Sequence, residues 1–292
     1  MAWLPLSLRK TLVYFDKYDY PLTLDELRYW NSPISPSSVP PLTAKPRTES
    51  EKLRGGKEKG VIYKNGYYFL PGRSRLVKLR HQREKFSKAK WLIAKKVGES
   101  LKKFPTISAV FVTGALAMNN CPKDDDIDLM IITYPNTLWI TRLFVNLYLW
   151  RLRRFPGQTS APDKICPNLW LDTNNLVLHT HNIYTAHEIL QAKCIFDRGS
   201  VHHQFLTQNS WVKKYLPNAY LSLLKLPSPT AKPRAREILG EGLRVRYWLW
   251  SLNLLFFAAQ YAYMLPKMTT EKVSLHSAFF HPTVINLDKK RK

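Results

Sequence analysis

The stretch Val110 to Thr133, VFVTGALAMNNCPKDDDIDLMIIT, constrains this chain more than any other. An apolar run from Ile107 to Val112, broken only by Ser108, stops at Gly114, and a second run, Leu129 to Ile132, follows Asp126-Ile127-Asp128. Short apolar runs bounded by turn residues predict two neighbouring buried strands. Residues two apart in a strand share a face, so Asp126 and Asp128 project together. Like charges held that close repel and raise one pKa unless a cation lies between them, and a carboxylate pair completed by substrate phosphates is a common way to hold Mg²⁺. Gly114 lets backbone approach closely, which presents the Gly114 and Ala115 amides, at a helix start, to phosphate oxygens. The competing reading is an acidic surface turn in which Asp124, Asp125, Asp126 and Asp128 are solvated or capping groups. The glycine turn and the flanking apolar strands favour the metal site.

The pattern Gly114-Ala115, ten residues, then Asp126-Ile127-Asp128 resembles the nucleotidyltransferase superfamily that includes DNA polymerase beta, aminoglycoside nucleotidyltransferases and the small MNT antitoxins. The wider stretch, from TGALAMNN through DDDIDLMIIT to LWITR, is similar to uncharacterised bacterial and archaeal members with an N-terminal winged helix. The resemblance implies an α/β (α+β) fold with a nucleotidyltransferase-type mixed sheet. It also implies Mg²⁺-dependent transfer of a nucleoside monophosphate from an NTP, with pyrophosphate release, and two Mg²⁺ ions held by Asp126 and Asp128. The usual second residue of the turn is Ser; Ala115 keeps the amide and loses a hydroxyl contact to phosphate.

Such proteins add a third acidic residue from a neighbouring strand, to complete the second metal site or to act as base. By position that residue is Asp172, at the end of a third core strand in ICPNLWLDTNNLVL. Asp172-Thr173-Asn174-Asn175 reads equally as a turn, and Glu188, in the helical stretch IYTAHEIL, is the alternative. Arg142, in LWITR, is either a triphosphate contact or a basic helix residue.

Lys and Arg number 45 against 21 Asp and Glu, a net charge of +24. A field of that size favours polyanionic partners: the NTP itself, and RNA or DNA through the basic surface. At 292 residues and 45% hydrophobic, the chain can bury one sizeable core plus a small accessory domain. Cys121, Cys166 and Cys194 have no metal-ligand spacing and leave an odd thiol, which points to a reducing compartment. MAWLPLSLRK is too short an apolar run for a signal peptide, so a cytoplasmic protein is expected. His179, His181, His187, His202 and His203 crowd one region, but no cysteine falls in register with them, so surface or core histidines are expected over a zinc site.

In chain order, residues 1–72 read as a winged-helix-like domain. Leu8 to Tyr18 has helical spacing, Thr23-Leu24-Asp25-Glu26 is a capping box opening a helix through Trp30, and Gly60 to Leu70 is a hairpin turning at Asn65-Gly66. The Pro- and Ser-rich insert Ser32 to Gly60 shows no clean recognition helix, so DNA reading and a packing role both stay open. Residues 73–226 read as the nucleotidyltransferase domain, led by a helix from Ser74 to Phe104. Its cations, Arg80 and Lys90 among them, form either a solvated face or a phosphate-backbone track.

Residues 227–292 read as a C-terminal helical cap behind the linker PSPTAKPRAR. Tyr247 to Leu265 has no charged residue, which by length alone would span a membrane. Ser251, Asn253 and Gln260 interrupt it, so a helix buried against the catalytic domain is expected. The expected activity is nucleotidyl transfer to an unidentified acceptor. The alternative is a winged-helix nucleic-acid-binding regulator whose nucleotidyltransferase domain senses nucleotide or is inactive.

Overall fold

The computed structural model describes residues 6–31, 60–155, 158, 160–225, 243–269 and 271–280. The insert 32–59, the linker 226–242, the His281-Pro282 end of the Phe-His-Pro segment and the basic tail all lie outside the described residues. The chain is mixed α and β and divides into two compact units, residues 1–85 with 211–226, and residues 86–210 with 227–292.

In the first unit, α1 (Leu6–Asp16) and α2 (Leu24–Trp30) close on a small aromatic core, Phe15 against Tyr20 and Trp30. The capping box forms as read: the Glu26 amide donates to Thr23 Oγ1 at 3.3 Å, and the Thr23 amide donates to the Glu26 carboxylate at 2.9 Å. β1 (Ile62–Lys64) and β2 (Tyr67–Phe69) form the hairpin, and Asn65 and Gly66 both take positive φ, as a tight two-residue turn demands. Leu22 forms an isolated antiparallel bridge with Tyr68 of β2. α8 (Pro217–Leu224) returns from far along the chain to pack on α2, so this unit is not the contiguous 1–72 of the sequence reading.

α3 (Arg75–Leu101) begins in this unit, and from residue 86 it belongs to the second. Two of its cations are not on a solvated face. Arg80 is buried between Glu26 and Glu84 and lies over the Tyr20 ring. Lys90 is 1% exposed, with Nζ donating to the Asp125 carbonyl at 2.7 Å and pairing with Asp163 at 2.8 Å.

The second unit is built on a six-stranded mixed sheet in the order β6-β3-β4-β5-β8-β7. β3 (Ile107–Val112) and β4 (Ile127–Thr133) are antiparallel, and β5 (Ile165–Asp172) runs parallel to β4. β6 (Lys193–Asp197) flanks β3. The three central strands are the ones read from the sequence. Every residue of β3 is buried, Ser108 included, which explains its otherwise apolar run.

The short α4 (Gly114–Ala117) joins β3 to β4, and α5 (Leu138–Tyr148) crosses from β4 to β5. α6 (Ile183–Gln191) leads into β6, and α7 (Val201–Gln208) sets Phe205 against Phe111 of β3. Residues of α3 and α5, among them Ala94, Val97, Trp139 and Val145, share one core with Ile127, Leu129 and Ile131 of β4.

The C-terminal section is more than a helical cap. Its helix α9 (Leu243–Met264) packs on α5, and β7 (Lys272–Val273) and β8 (Ser277–Phe279) extend the sheet from β5, so the section belongs to the same unit as the core strands. No described helix is long and apolar enough to cross a membrane.

Candidate metal and phosphate site

Asp126 immediately precedes β4 and Asp128 is its second residue, so both carboxylates lie at one end of the central strand. Across the parallel pairing, Asp128 stands opposite Cys166. One ligand atom each from Asp126, Asp128 and Cys166 lies within 4.8 Å of the other two, the only such set of potential metal ligands among the described residues. Two neighbours orient the carboxylates: Asn168 Nδ2 donates to Asp128 Oδ1 at 2.7 Å, and Arg154 pairs with Asp126 Oδ2 at 2.9 Å. Cys166 and Asn168 are two apart on β5, as Asp126 and Asp128 are at the start of β4, so the site reads Asp-x-Asp facing Cys-x-Asn.

On the other side, the Thr113 amide donates to the Asp128 carbonyl at 3.0 Å, and the chain then turns at Gly114, with φ +61°. A Cβ at residue 114 would collide with Asp128 Oδ2. The Gly114 turn and the carboxylate are therefore packed against each other, and Ala115 lies at the start of α4 beside them.

The electrostatics are those of negative charge crowded in a poorly solvated place. Burial, then the charges of Asp126, Asp125 and Glu188, push the Asp128 carboxyl well above the usual carboxylate range. Asp125 is raised by burial and by Asp126. Burial, with Asp128 and Asp126 close by, pushes the Cys166 thiol up, so it stays protonated. Burial also lifts Glu188, on α6, to about 7. Carboxylates crowded in this way gain most from a cation. Asp126 and Asp128 offer oxygens suited to a hard divalent ion, and Cys166 adds a softer donor that would have to lose its proton to bind.

Two residues assigned to this site from sequence lie elsewhere. Asp172 is at the far end of β5 opposite Thr133, five positions beyond the Asp128 pairing and so about 16 Å away at strand rise. There it is fully buried, bonded to His276 Nδ1 at 2.6 Å and to the Asn174 amide at 2.9 Å, which makes it the turn residue that the Asp-Thr-Asn-Asn sequence also allowed. Arg142 faces α9: its guanidinium donates to Gln260 Oε1 at 2.5 Å, reaches Met264 Sδ at 3.6 Å and lies over the Phe280 ring. Burial lowers its pKa to about 9, as befits a packed guanidinium rather than a phosphate clamp. Glu188 is the third carboxylate that acts on Asp128.

Cys166, Asn168 and Arg154 were missed. The alternation of Cys166 and Asn168 was visible, but its meaning depends on the parallel register with β4, which the sequence does not state. Among the described residues, the histidines form no ligand set; burial holds His187 neutral, at about 3. In the first unit, a groove lined by Lys64, Asn65, Arg75, Lys78, His81 and Lys85 gathers positive charge. No family model, curated protein or solved structure matches this chain.

Proposed function

We propose that the chain is a Mg²⁺-dependent nucleotidyltransferase that moves a nucleoside monophosphate from an NTP to an acceptor and releases pyrophosphate. The observation that carries this reading is the packing of the Gly114 turn against Asp128, with Asp126 alongside. A close backbone approach beside paired carboxylates suits triphosphate and metal together. Bound Mg²⁺, two ions in the full reading, would be held by Asp126 and Asp128 and would supply charge neutralisation at the transferring phosphoryl group. The Gly114 and Ala115 amides orient the outer phosphates. Asn168 fixes the rotamer of Asp128 through its 2.7 Å bond. Glu188, poised at about 7, takes the proton of the attacking hydroxyl. The wider fold assignment, a nucleotidyltransferase-type sheet with a winged helix, belongs to this same proposal, and so does RNA or DNA as a partner, for which the cationic groove of the first unit is the surface on offer.

A second reading has its own support. Arg154 already neutralises Asp126, Cys166 and Asn168 stand where β5 would bring a carboxylate to the dyad, and Ala115 offers no hydroxyl. These features favour a nucleotide-sensing or inactive domain on a nucleic-acid-binding regulator.

The test is incubation of the full chain with each α-labelled NTP and Mg²⁺, with and without total RNA, beside Asp126→Asn and Asp128→Asn. Label transfer and pyrophosphate release that fall at least about 100-fold in both variants support the transferase. Mg²⁺-dependent nucleotide binding without turnover supports the sensor.

A further inference from the structure

α9 has its polarity turned inward. From Tyr247 to Leu265 it carries no charged residue, and its two amide side chains face the protein. Asn253 is fully buried with Oδ1 accepting the Trp139 amide at 2.8 Å, and Gln260 joins the Arg142 guanidinium to the Trp139 carbonyl. The face left to solvent is apolar: Trp248 is 70% exposed, Leu255 63% and Tyr263 70%, with Ala258, Ala259 and Ala262 exposed between the last two. Ser251 is the one small polar interruption. A surface helix in water carries the opposite pattern. Single exposed apolar side chains are ordinary, but a stripe along most of a 22-residue helix marks a site of contact with something apolar. α5, packed beside it, also leaves Phe144 and Leu147 exposed, as is Trp150 just after its end.

We propose that this face docks on an anionic lipid bilayer, with α9 lying in the plane of the interface. The ends of the stripe carry the side chains that favour that depth. Trp248 and Trp250 stand at one end, after Arg244 and Arg246 in the sequence; at the other, Lys267 Nζ lies 3.9 Å from the centre of the Tyr263 ring. The charge selects among occupants. Each copy carries +24, which opposes a second copy and attracts an anionic surface. Asn253 and Gln260 are held against α5, so one face of the helix enters lipid while the body of the protein covers the other. This binding does not span the bilayer, and it does not depend on nucleotide chemistry.

The experiment is flotation of the full chain, without nucleotide or metal, with vesicles of phosphatidylcholine plus phosphatidylserine and with phosphatidylcholine alone, comparing native chain with Leu255→Glu and Ala259→Glu. Both substituted side chains are exposed, so thermal melts should match the native chain. The native chain is expected to float with the mixed vesicles, and each variant to lower the partition coefficient by about tenfold or more, with part of the native binding surviving high salt. Failure to bind the mixed vesicles would overturn the proposal. So would variants that bind as well as the native chain, because attraction would then rest on charge alone. A dimer seen in sedimentation velocity and dissolved by Leu255→Glu, with no vesicle binding, would assign the face to a second copy.

Discussion

Gly114 and Asp128 leave no room for a methyl group between them. Gly114 holds φ +61°, where a side chain strains the backbone, and the Cβ it lacks would meet Asp128 Oδ2. Gly114→Ala therefore forces either the turn or the carboxylate out of place. The expected result is a loss of about 2–4 kcal/mol in urea unfolding and of about 100-fold or more in label transfer. Native stability in this variant would mean that the turn does not hold Asp128 as described.

Parts of both units could be read from the sequence because their signals are local. Short apolar runs mark β3 and β4, the Asn65-Gly66 pair marks the hairpin, and Thr23 with Glu26 marks the start of α2. The dyad was legible for the same reason, since Asp126 and Asp128 need only the two-residue period of one strand. What failed was long-range. Whether Cys166 or Asp172 faces the dyad depends on the β4–β5 register, and both lie on the same strand. The side of α5 that Arg142 occupies depends on α9, more than a hundred residues later. Lys90 looked solvated because its partners, Asp163 and the Asp125 carbonyl, are distant in sequence.

Asp172 is expected to act on stability and not on chemistry. Its buried carboxylate accepts from the Asn174 amide and pairs with His276, tying the end of β5 to the segment before β8. Asp172→Asn keeps the size and loses the charge-assisted bond, which costs about 1–3 kcal/mol in chemical denaturation. The rate per folded molecule should equal that of the native chain. A selective fall in rate with unchanged stability would restore the sequence assignment of Asp172 as the base.

Arg142 offers a complementary test. Among the described residues its Nε has no hydrogen-bond partner, and burial lowers its pKa to about 9, so part of its charge is poorly compensated. Met is of similar length and fills the space between Trp139, Met264 and Phe280 without the unmet donor. Arg142→Met should change stability by less than about 1.5 kcal/mol in either direction and leave the KM for NTP unchanged. A large rise in that KM, measured by initial rates, would place the guanidinium on the triphosphate after all.

Glu188 links pH to both stability and rate. Burial raises its carboxyl from 4.5 to about 7 in the folded chain. The folded state therefore holds the proton more tightly than the unfolded state, and the stability this contributes is complete below 4.5 and lost as pH rises through about 7. The full span is worth up to about 3 kcal/mol. Asp128 is raised as well, and its effect has the same sign, so the native profile alone does not separate the two. Glu188→Gln does: it removes one ionisation and leaves a side-chain amide to face Gln191. Unfolding in chelator, to exclude metal, should show the variant gaining on the native chain by about 1–3 kcal/mol between pH 5 and pH 8. As the proposed base, Glu188 also predicts that native kcat declines below about pH 7 and that the variant is about 100-fold slower without that inflection. A shifted stability profile with an unchanged rate profile would leave Glu188 a buried acid and take it out of the reaction.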